Sequence, residues 1–387
     1  MAKLVFCDGN QLQLHHTGVQ FFPALLEAIA YAQHEIYLET YIYADDPSAQ
    51  AISDALSHAA QRGVCVQVII DWIGTGIHRA QQLQNDFQQT GVQCRIFNPW
   101  FKRGLARTHR KLAVIDQSTA FIGGINLIDD CRSDDGKNTP LPYPRWDFAV
   151  QVKGDLVQNM HKEISAQWLK MGKLQLLQRL KLAVNLRAPF ERHVGTLSQA
   201  ALVIRDNLRN RTTIQKAYLK ALGSARHTAI LANPYFAPGR KIRNGLIRAA
   251  QRGVDVRLLL GVGEFDWQDA VAQSYYPKLL AAGIKIYEYR KTKLHAKVAV
   301  IDGLWATVGS SNFDGLSLFL NHEANIVVLD QDFANNLDQH LQQGLQDAVQ
   351  IDPHCVVRQH WSTRLKHRLA YWFYRGVMRL VTLGRYL

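Results

Sequence analysis

Two stretches of the 387-residue chain carry the same reactive side chains at the same spacing. One reads Thr108-His109-Arg110-Lys111-Leu112-Ala113-Val114-Ile115-Asp116 and runs on to Gly123-Gly124-Ile125-Asn126. The other reads Leu294-His295-Ala296-Lys297-Val298-Ala299-Val300-Ile301-Asp302 and runs on to Gly309-Ser310-Ser311-Asn312. In both, Lys follows His by two positions, Asp by seven, Gly by fourteen and Asn by seventeen. Side chains alternate along a strand, so His and Lys share one face. The small residues at the end of the next strand let backbone N–H groups and the Asn amide approach an anion. One copy therefore offers an imidazole, an ammonium and an amide to one oxyanion. A lone His in a strand is ordinarily a packing or surface residue; two copies of a five-position pattern at identical spacing point to catalysis. Clustered His and Asp also suit a metal, but the Lys beside each His would repel a cation and suits a phosphate.

The elements that must position these groups are themselves repeated. Ala60-Gln61-Arg62-Gly63-Val64 recurs as Ala250-Gln251-Arg252-Gly253-Val254, and each is followed by an apolar run, 66–70 and 256–260. Residues 34–43 match 227–236, and 91–97 match 283–289. This is one long duplication, not a short-period solenoid. Each copy reads helix (near 21–33 and 210–225), strand, helix, strand, helix, strand. That alternation predicts an α/β fold with two duplicated α/β/α sandwich halves and mainly parallel sheets. The expected organisation is a first half over 1–171, closed by a helix at 155–169, and a basic connector over 172–200. A second half over 201–350 and a basic amphipathic tail over 351–387 follow. Within the connector, 173–192 suits an interdomain helix or a membrane-facing hairpin.

Lys and Arg number 45 against 32 Asp and Glu, a formal charge of +13, which implies an anionic partner. With 47% apolar and 20% charged residues, the chain is neither disordered nor collagen-like. Its apolar stretches, such as 64–70 and 258–262, fall short of the roughly 18–20 residues of a membrane span, and the first residues lack a secretory signal's apolar core. The five cysteines (Cys7, Cys65, Cys94, Cys131, Cys355) form no C-x-x-C and read as reduced thiols of a cytosolic protein. The tail holds seven basic residues and one acidic. On a helical wheel Leu365, Leu369, Trp372, Phe373, Gly376, Leu380 and Leu383 gather on one face, beside a stripe of Arg364, Arg368, Arg375 and Arg379. This pattern fits a helix lying in a lipid interface or one docked on the protein's own core with its charges in water. The two are compatible.

The doubled H-x-K-x4-D-x6-G-[GS]-x-N pattern resembles the phospholipase D superfamily over nearly the whole chain. Within it, Arg107 through Lys111, Phe121 through Asn126, Arg145-Trp146-Asp147-Phe148, Tyr235-Phe236, Asn312-Phe313-Asp314 with Ser317, Asn321-His322-Glu323 and Glu39 through Tyr43 are similar to bacterial cardiolipin synthases of the shorter type, without N-terminal membrane helices. The resemblance implies two halves facing each other across a pseudo-twofold axis and sharing one active site, with no metal, nucleotide or other cofactor. His109 would be the nucleophile on phosphorus and His295 the general acid. Lys111, Lys297, Asn126 and Asn312 would hold the non-bridging oxygens, assisted by Ser310 or Ser311. Asp116 and Asp302 complete the catalytic motif set and would anchor its strands rather than touch phosphate. Asp147 and Glu323 would orient the imidazoles by crossing over, Glu323 to His109 and Asp147 to His295. The implied reaction joins two phosphatidylglycerols into cardiolipin and glycerol through a phosphatidyl-histidine. The implied partners are anionic phospholipids (phosphatidylglycerol, cardiolipin) and the membrane surface at the cytoplasmic face of the bacterial inner membrane, with no nucleic acid and no obligate protein partner. A phosphodiesterase or nuclease of the same superfamily would share the motifs and a basic surface. A non-catalytic membrane-binding relative should have lost a motif residue, and none is missing.

Overall fold

The computed structural model describes residues 4–133, 139–172 and 198–382. The first half runs β1 (Cys7–His16), α1 (Thr17–Ala30), β2 (Glu35–Thr40), α2 (Pro47–Gln61), β3 (Cys65–Asp71), α3 (Ile77–Thr90), β4 (Gln93–Phe97), β5 (Lys102–Leu105), β6 (Leu112–Ile115), β7 (Thr119–Gly123), β8 (Phe148–Lys153) and α4 (Leu156–Met171). The second runs β9 (Ser198–Arg205), α5 (Thr213–Ser224), β10 (Thr228–Asn233), α6 (Arg240–Gln251), β11 (Asp255–Gly261), α7 (Asp266–Gln273), α8 (Tyr276–Leu280), β12 (Lys285–Tyr289), β13 (Val298–Ile301), β14 (Trp305–Gly309), α9 (Gly315–Phe319), β15 (Glu323–Leu329) and α10 (Gln331–Gln346). After it come β16 (Ala348–Gln350), α11 (Pro353–Val357) and α12 (Trp361–Val381). Residues 198–200, expected in the connector, already belong to β9; 173–197, including 173–192, lie outside the described residues.

Local chemistry explains the repeated elements. Helix α1 buries Phe21, Leu25 and Ile29, four apart on one face. Asp46 caps α2 by accepting from the Ala49 N–H at 2.9 Å, with Pro47 at the first helical position. The duplicated Ala-Gln-Arg-Gly-Val is a helix-stopping device. Gly63 and Gly253 take φ of +92° and +90°, which turns the chain from helix into strand. The Arg62 guanidinium donates to the Ile29, Ala30 and Ala32 carbonyls, and Arg252 to those of Leu222 and Ala225, closing the C-terminal ends of α1 and α5.

The first-half strands lie in the order β4-β3-β2-β6-β7-β8-β1, the second in the order β12-β11-β10-β13-β14-β15-β9, with β16 beyond β12. The two orders correspond strand for strand, and β1 pairs with β9 to join them. The expectation of mainly parallel sheets needs correction. Only β2·β3, β3·β4, β10·β11 and β11·β12 are parallel, and every other pair is antiparallel. The reason is connection length. The β–α–β units have room for a crossover, but three residues, 116–118, join β6 to β7, and so short a link permits only a hairpin.

Each half has its own core under its helices. A third core is shared: Leu112, Val114, Ile122 and Val150 of the first half pack with Val298, Val300, Val308 and Ile326 of the second, between α4 and α10. All five cysteines are free.

Candidate active site

Asp116 and Asp302, seven residues after each histidine, fix the far ends of the motif strands. The Asp116 carboxylate accepts from the N–H groups of Gln33, His34 and Glu35 at 2.7–2.9 Å. Asp302 accepts from those of Arg226, His227 and Thr228 at 2.8–2.9 Å. Burial raises both carboxyls, but the three N–H groups outweigh it and hold each below the ordinary Asp range. At roughly 3.3 Å per residue they stand about 20 Å along the strand from the histidines. They belong to the motif without belonging to the site, and their place in the catalytic set is corrected accordingly.

At the near ends the two halves interlock. The His109 N–H donates to the His322 carbonyl at 2.9 Å, and the His322 N–H to the Arg107 carbonyl at 2.8 Å. The same bridge recurs where the His295 N–H donates to the Trp146 carbonyl, and the Trp146 N–H to that of Lys293, both at 2.9 Å. Each bridge sets a carboxylate against the other half's imidazole. His109 Nδ1 lies 3.0 Å from Glu323 Oε2, and His295 Nδ1 lies 2.6 Å from Asp147 Oδ2.

Burial lowers His109 to about 4, against the opposing pull of Glu323. The ring is therefore neutral at pH 7, with its Nδ1–H donating to the carboxylate and its lone pair on Nε2. Burial raises the Glu323 carboxyl, but His109, Lys111 and Ser310 outweigh it and keep it below the ordinary Glu range. Burial raises Asp147 to about 6, opposed chiefly by Lys297. Behind the imidazoles, Lys111 Nζ donates to the His109 carbonyl at 2.8 Å and Lys297 Nζ to the His295 carbonyl. Burial lowers Lys297 to about 8; burial and then Lys297 push Lys111 well below its usual value.

His109, His295, Asn126 and Asn312 line one cavity of 310 Å³. Asn126 Oδ1 accepts from the Ile42 N–H at 3.3 Å, which orients its amide. Asn312 Oδ1 is buried without a hydrogen-bond partner among the described residues. The serines differ from expectation. Ser310 donates to Glu323 Oε2 at 2.5 Å and accepts from the Ala324 N–H, so it braces the carboxylate. Ser311 is fully buried outside the cavity lining. The glycines differ too, because their N–H groups are spent within the sheet. Gly123 donates to Lys111, Gly124 to Phe148, Gly309 to Lys297, and Ser310 to Ala324. Gly124 is small because Asp147 approaches it: an added Cβ would collide with the Asp147 carboxylate.

Three site residues had no assigned role in the sequence. The Tyr41 ring stands edge-on to His109 at 4.8 Å, and Arg107 donates to its hydroxyl at 3.1 Å. Asp71 accepts from the Thr108 N–H at 2.8 Å and so fixes the residue before His109. Tyr41 and Asp71 sit at the C-terminal ends of the parallel strands β2 and β3, where open α/β sheets place ligands. That position was the available signal.

The family model described as "Cardiolipin synthase, PLD-like domain" matches residues 25–134 and 218–345, one stretch in each half. The chain belongs to this cardiolipin synthase family. Cardiolipin synthase B of Salmonella typhimurium is 37% identical over 97% of this chain and 90% of that protein. Cardiolipin synthase B of Escherichia coli K12 is 36% identical over 98% and 91%. A probable cardiolipin synthase of Bacillus subtilis is 28% identical over 93% and 71%. Among solved structures, phosphatidylserine synthase of Haemophilus influenzae superposes with a TM-score of 0.72 at 14% identity, covering 98% of this chain and 97% of that one. That likeness concerns the fold alone. Among the described residues of this family member, no helix is long and apolar enough to cross a membrane.

Proposed function

We propose that the chain makes cardiolipin by transphosphatidylation: two phosphatidylglycerols give cardiolipin and glycerol through a phosphatidyl-histidine. The observation that carries this is the crossed pairing of His109 with Glu323 and His295 with Asp147 at one cavity, in a chain of the cardiolipin synthase family. His109 Nε2, neutral at pH 7, attacks the phosphorus of the first lipid. The P–O bond to glycerol breaks as His295 gives that oxygen its proton. The terminal hydroxyl of a second phosphatidylglycerol then yields its proton to His295, and its oxygen attacks phosphorus as the P–N bond breaks. One phosphodiester replaces another, so no activated nucleotide is consumed; the two-step displacement is covalent catalysis. Asn126 and Asn312 face the phosphoryl oxygens, and Lys111 and Lys297 bring positive charge from behind the imidazoles. Phe236, Val271, Leu316 and Tyr374 form an apolar flank of the same cavity, suited to the lipid part of the substrate. We further infer a peripheral protein at the cytoplasmic face of the inner membrane, built as two catalytic halves plus the basic tail.

Purified protein incubated with phosphatidylglycerol vesicles should release glycerol and cardiolipin. His109→Ala and His295→Ala should each lose at least ~10³-fold in rate. Absence of lipid conversion together with DNA cleavage would overturn this reading in favour of a nuclease.

A further inference from the structure

Helix α12 has two faces with opposite fates. Its inner face, with His367, Tyr374 and Met378, is buried against the second half. Tyr374 also lines the active-site cavity, where its hydroxyl accepts from the Gly315 N–H at 2.8 Å. Tyr371 adds a ring contact with Tyr275 at 5.6 Å. The helix is therefore fastened to the wall of the site. The outer face keeps Leu365, Leu369, Trp372, Phe373 and Leu380 exposed, the last three by 63%, 70% and 79%. Gly376 lies within this stripe and faces open space. A contiguous exposed apolar face of this kind marks an interaction surface.

We propose that the outer face of α12 docks on an anionic lipid bilayer and holds the mouth of the active-site cavity at headgroup level. This deepens the function proposed above and rests on the substrate being a lipid. Three observations favour a bilayer over a second copy of the chain. First, Arg364, Arg368, Arg375 and Arg379 border the stripe and form no ion pair with a carboxylate among the described residues. Two such faces would repel each other, whereas anionic headgroups complement them. Second, the composition, with Trp, Phe and Leu flanked by Arg, is that of an interfacial helix. Third, the surface is continuous with the site. Phe265 and Trp267 line the cavity and are also solvent-exposed. On the first half, exposed Trp100 and Phe101 pack around Trp72, the residue after Asp71. Among the exposed tryptophans, Trp361 and Trp372 belong to α12 and Trp267 lines the cavity, where they would sit at the bilayer boundary.

The test uses the full chain and vesicles of phosphatidylglycerol mixed with phosphatidylcholine. In Leu369→Glu/Phe373→Glu/Leu380→Glu, all three sites face solvent, so the fold and thermal melting should be retained. Vesicle co-sedimentation and turnover on vesicles should each fall at least tenfold, with turnover on dispersed short-chain phosphatidylglycerol unchanged within twofold. Arg364→Gln/Arg368→Gln/Arg379→Gln should weaken binding to the mixed vesicles and flatten its salt dependence, and leave binding to pure phosphatidylcholine unaltered. Unchanged vesicle binding by both variants would overturn the docking surface, as would an equal loss on the short-chain substrate. Light scattering that shows a wild-type dimer becoming monomeric without loss of vesicle binding would assign the face to a second copy instead. If wild type fails to convert the short-chain lipid, the proposed reaction fails, and the sedimentation arm still decides the docking.

Discussion

Lys111 and Lys297 hold their charges against burial. Both ammonium groups are buried, and each lies close to the other's positive charge. Burial leaves Lys297 near 8 even with Asp147 beside it. The sign follows directly: an ammonium is charged below its pKa, so positive charge at the site persists through neutrality and is lost as pH rises past about 8. On the proposed mechanism that charge stabilises the phosphoryl oxygens from behind the imidazoles. We expect kcat/KM on short-chain phosphatidylglycerol to be steady near pH 7 and to fall above pH 8, approaching about tenfold per pH unit as one required proton is lost. Initial rates between pH 6 and 10, at constant ionic strength, check this. A profile flat to pH 10 would remove the lysines from phosphate binding. On the other side of neutrality, a His109 with a pKa of about 4 stays unprotonated well below pH 6, so its own titration should leave nucleophilicity intact there.

The motif strands show what a residue pattern does and does not reveal at the level of elements. The seven-residue spacing from His to Asp was legible, and the strand it spans is β6 or β13 with its lead-in. Asp116 and Asp302 accept three backbone N–H groups each, and those donors would be left without partners in an alanine variant. We expect Asp116→Ala and Asp302→Ala each to cost about 1–2 kcal/mol of stability, a modest sum because the sites are partly solvated. Turnover measured well below the melting temperature should remain within a few-fold of wild type. Since both carboxyls are held below the ordinary Asp range, their contribution is complete above about pH 4 and is lost on further acidification. Thermal melts at pH 7 and pH 3 should therefore show the variant–wild-type gap closing in acid; a gap of equal size at both would assign the loss to something other than the carboxylate. Helices at 21–33, 155–169 and 210–225 were also readable, because 3.6-residue periodicity survives in a single sequence. Strands β1 and β9 were not: β1 pairs with β8, β9 with β15 and the two with each other, and no local pattern encodes contacts well over a hundred residues away. The small residues after β7 and β14 were read as an anion cradle. Their smallness instead admits Asp147 beside Gly124 and the brace from Ser310 to Glu323, which requires knowing which strand lies next to which.

At the scale of the whole molecule, the two halves are coupled twice: each supplies the carboxylate to the other's histidine, and together they bury one core. A half taken alone would keep its imidazole and lose the group that orients it, and it would expose one side of the shared core to water. The duplicated sequence announces two units; the shared core and crossed carboxylates predict that they unfold as one. Met160 on α4 is fully buried in that core, which also holds Val300 of β13 and Val308 of β14. Met160→Ala removes buried apolar volume and should cost about 2–5 kcal/mol. If the halves were independent, the loss would fall on the first half only, and calorimetry would resolve two transitions of which one shifts. With a shared core, a single transition should move to lower temperature. Amide exchange should accelerate in β13 and β14 as well as in β6 and β7, because global opening is the common route for all four. The active site would report the same event. Its histidines and their carboxylates come from opposite halves, so activity should vanish along the same melting curve as the secondary structure and not ahead of it.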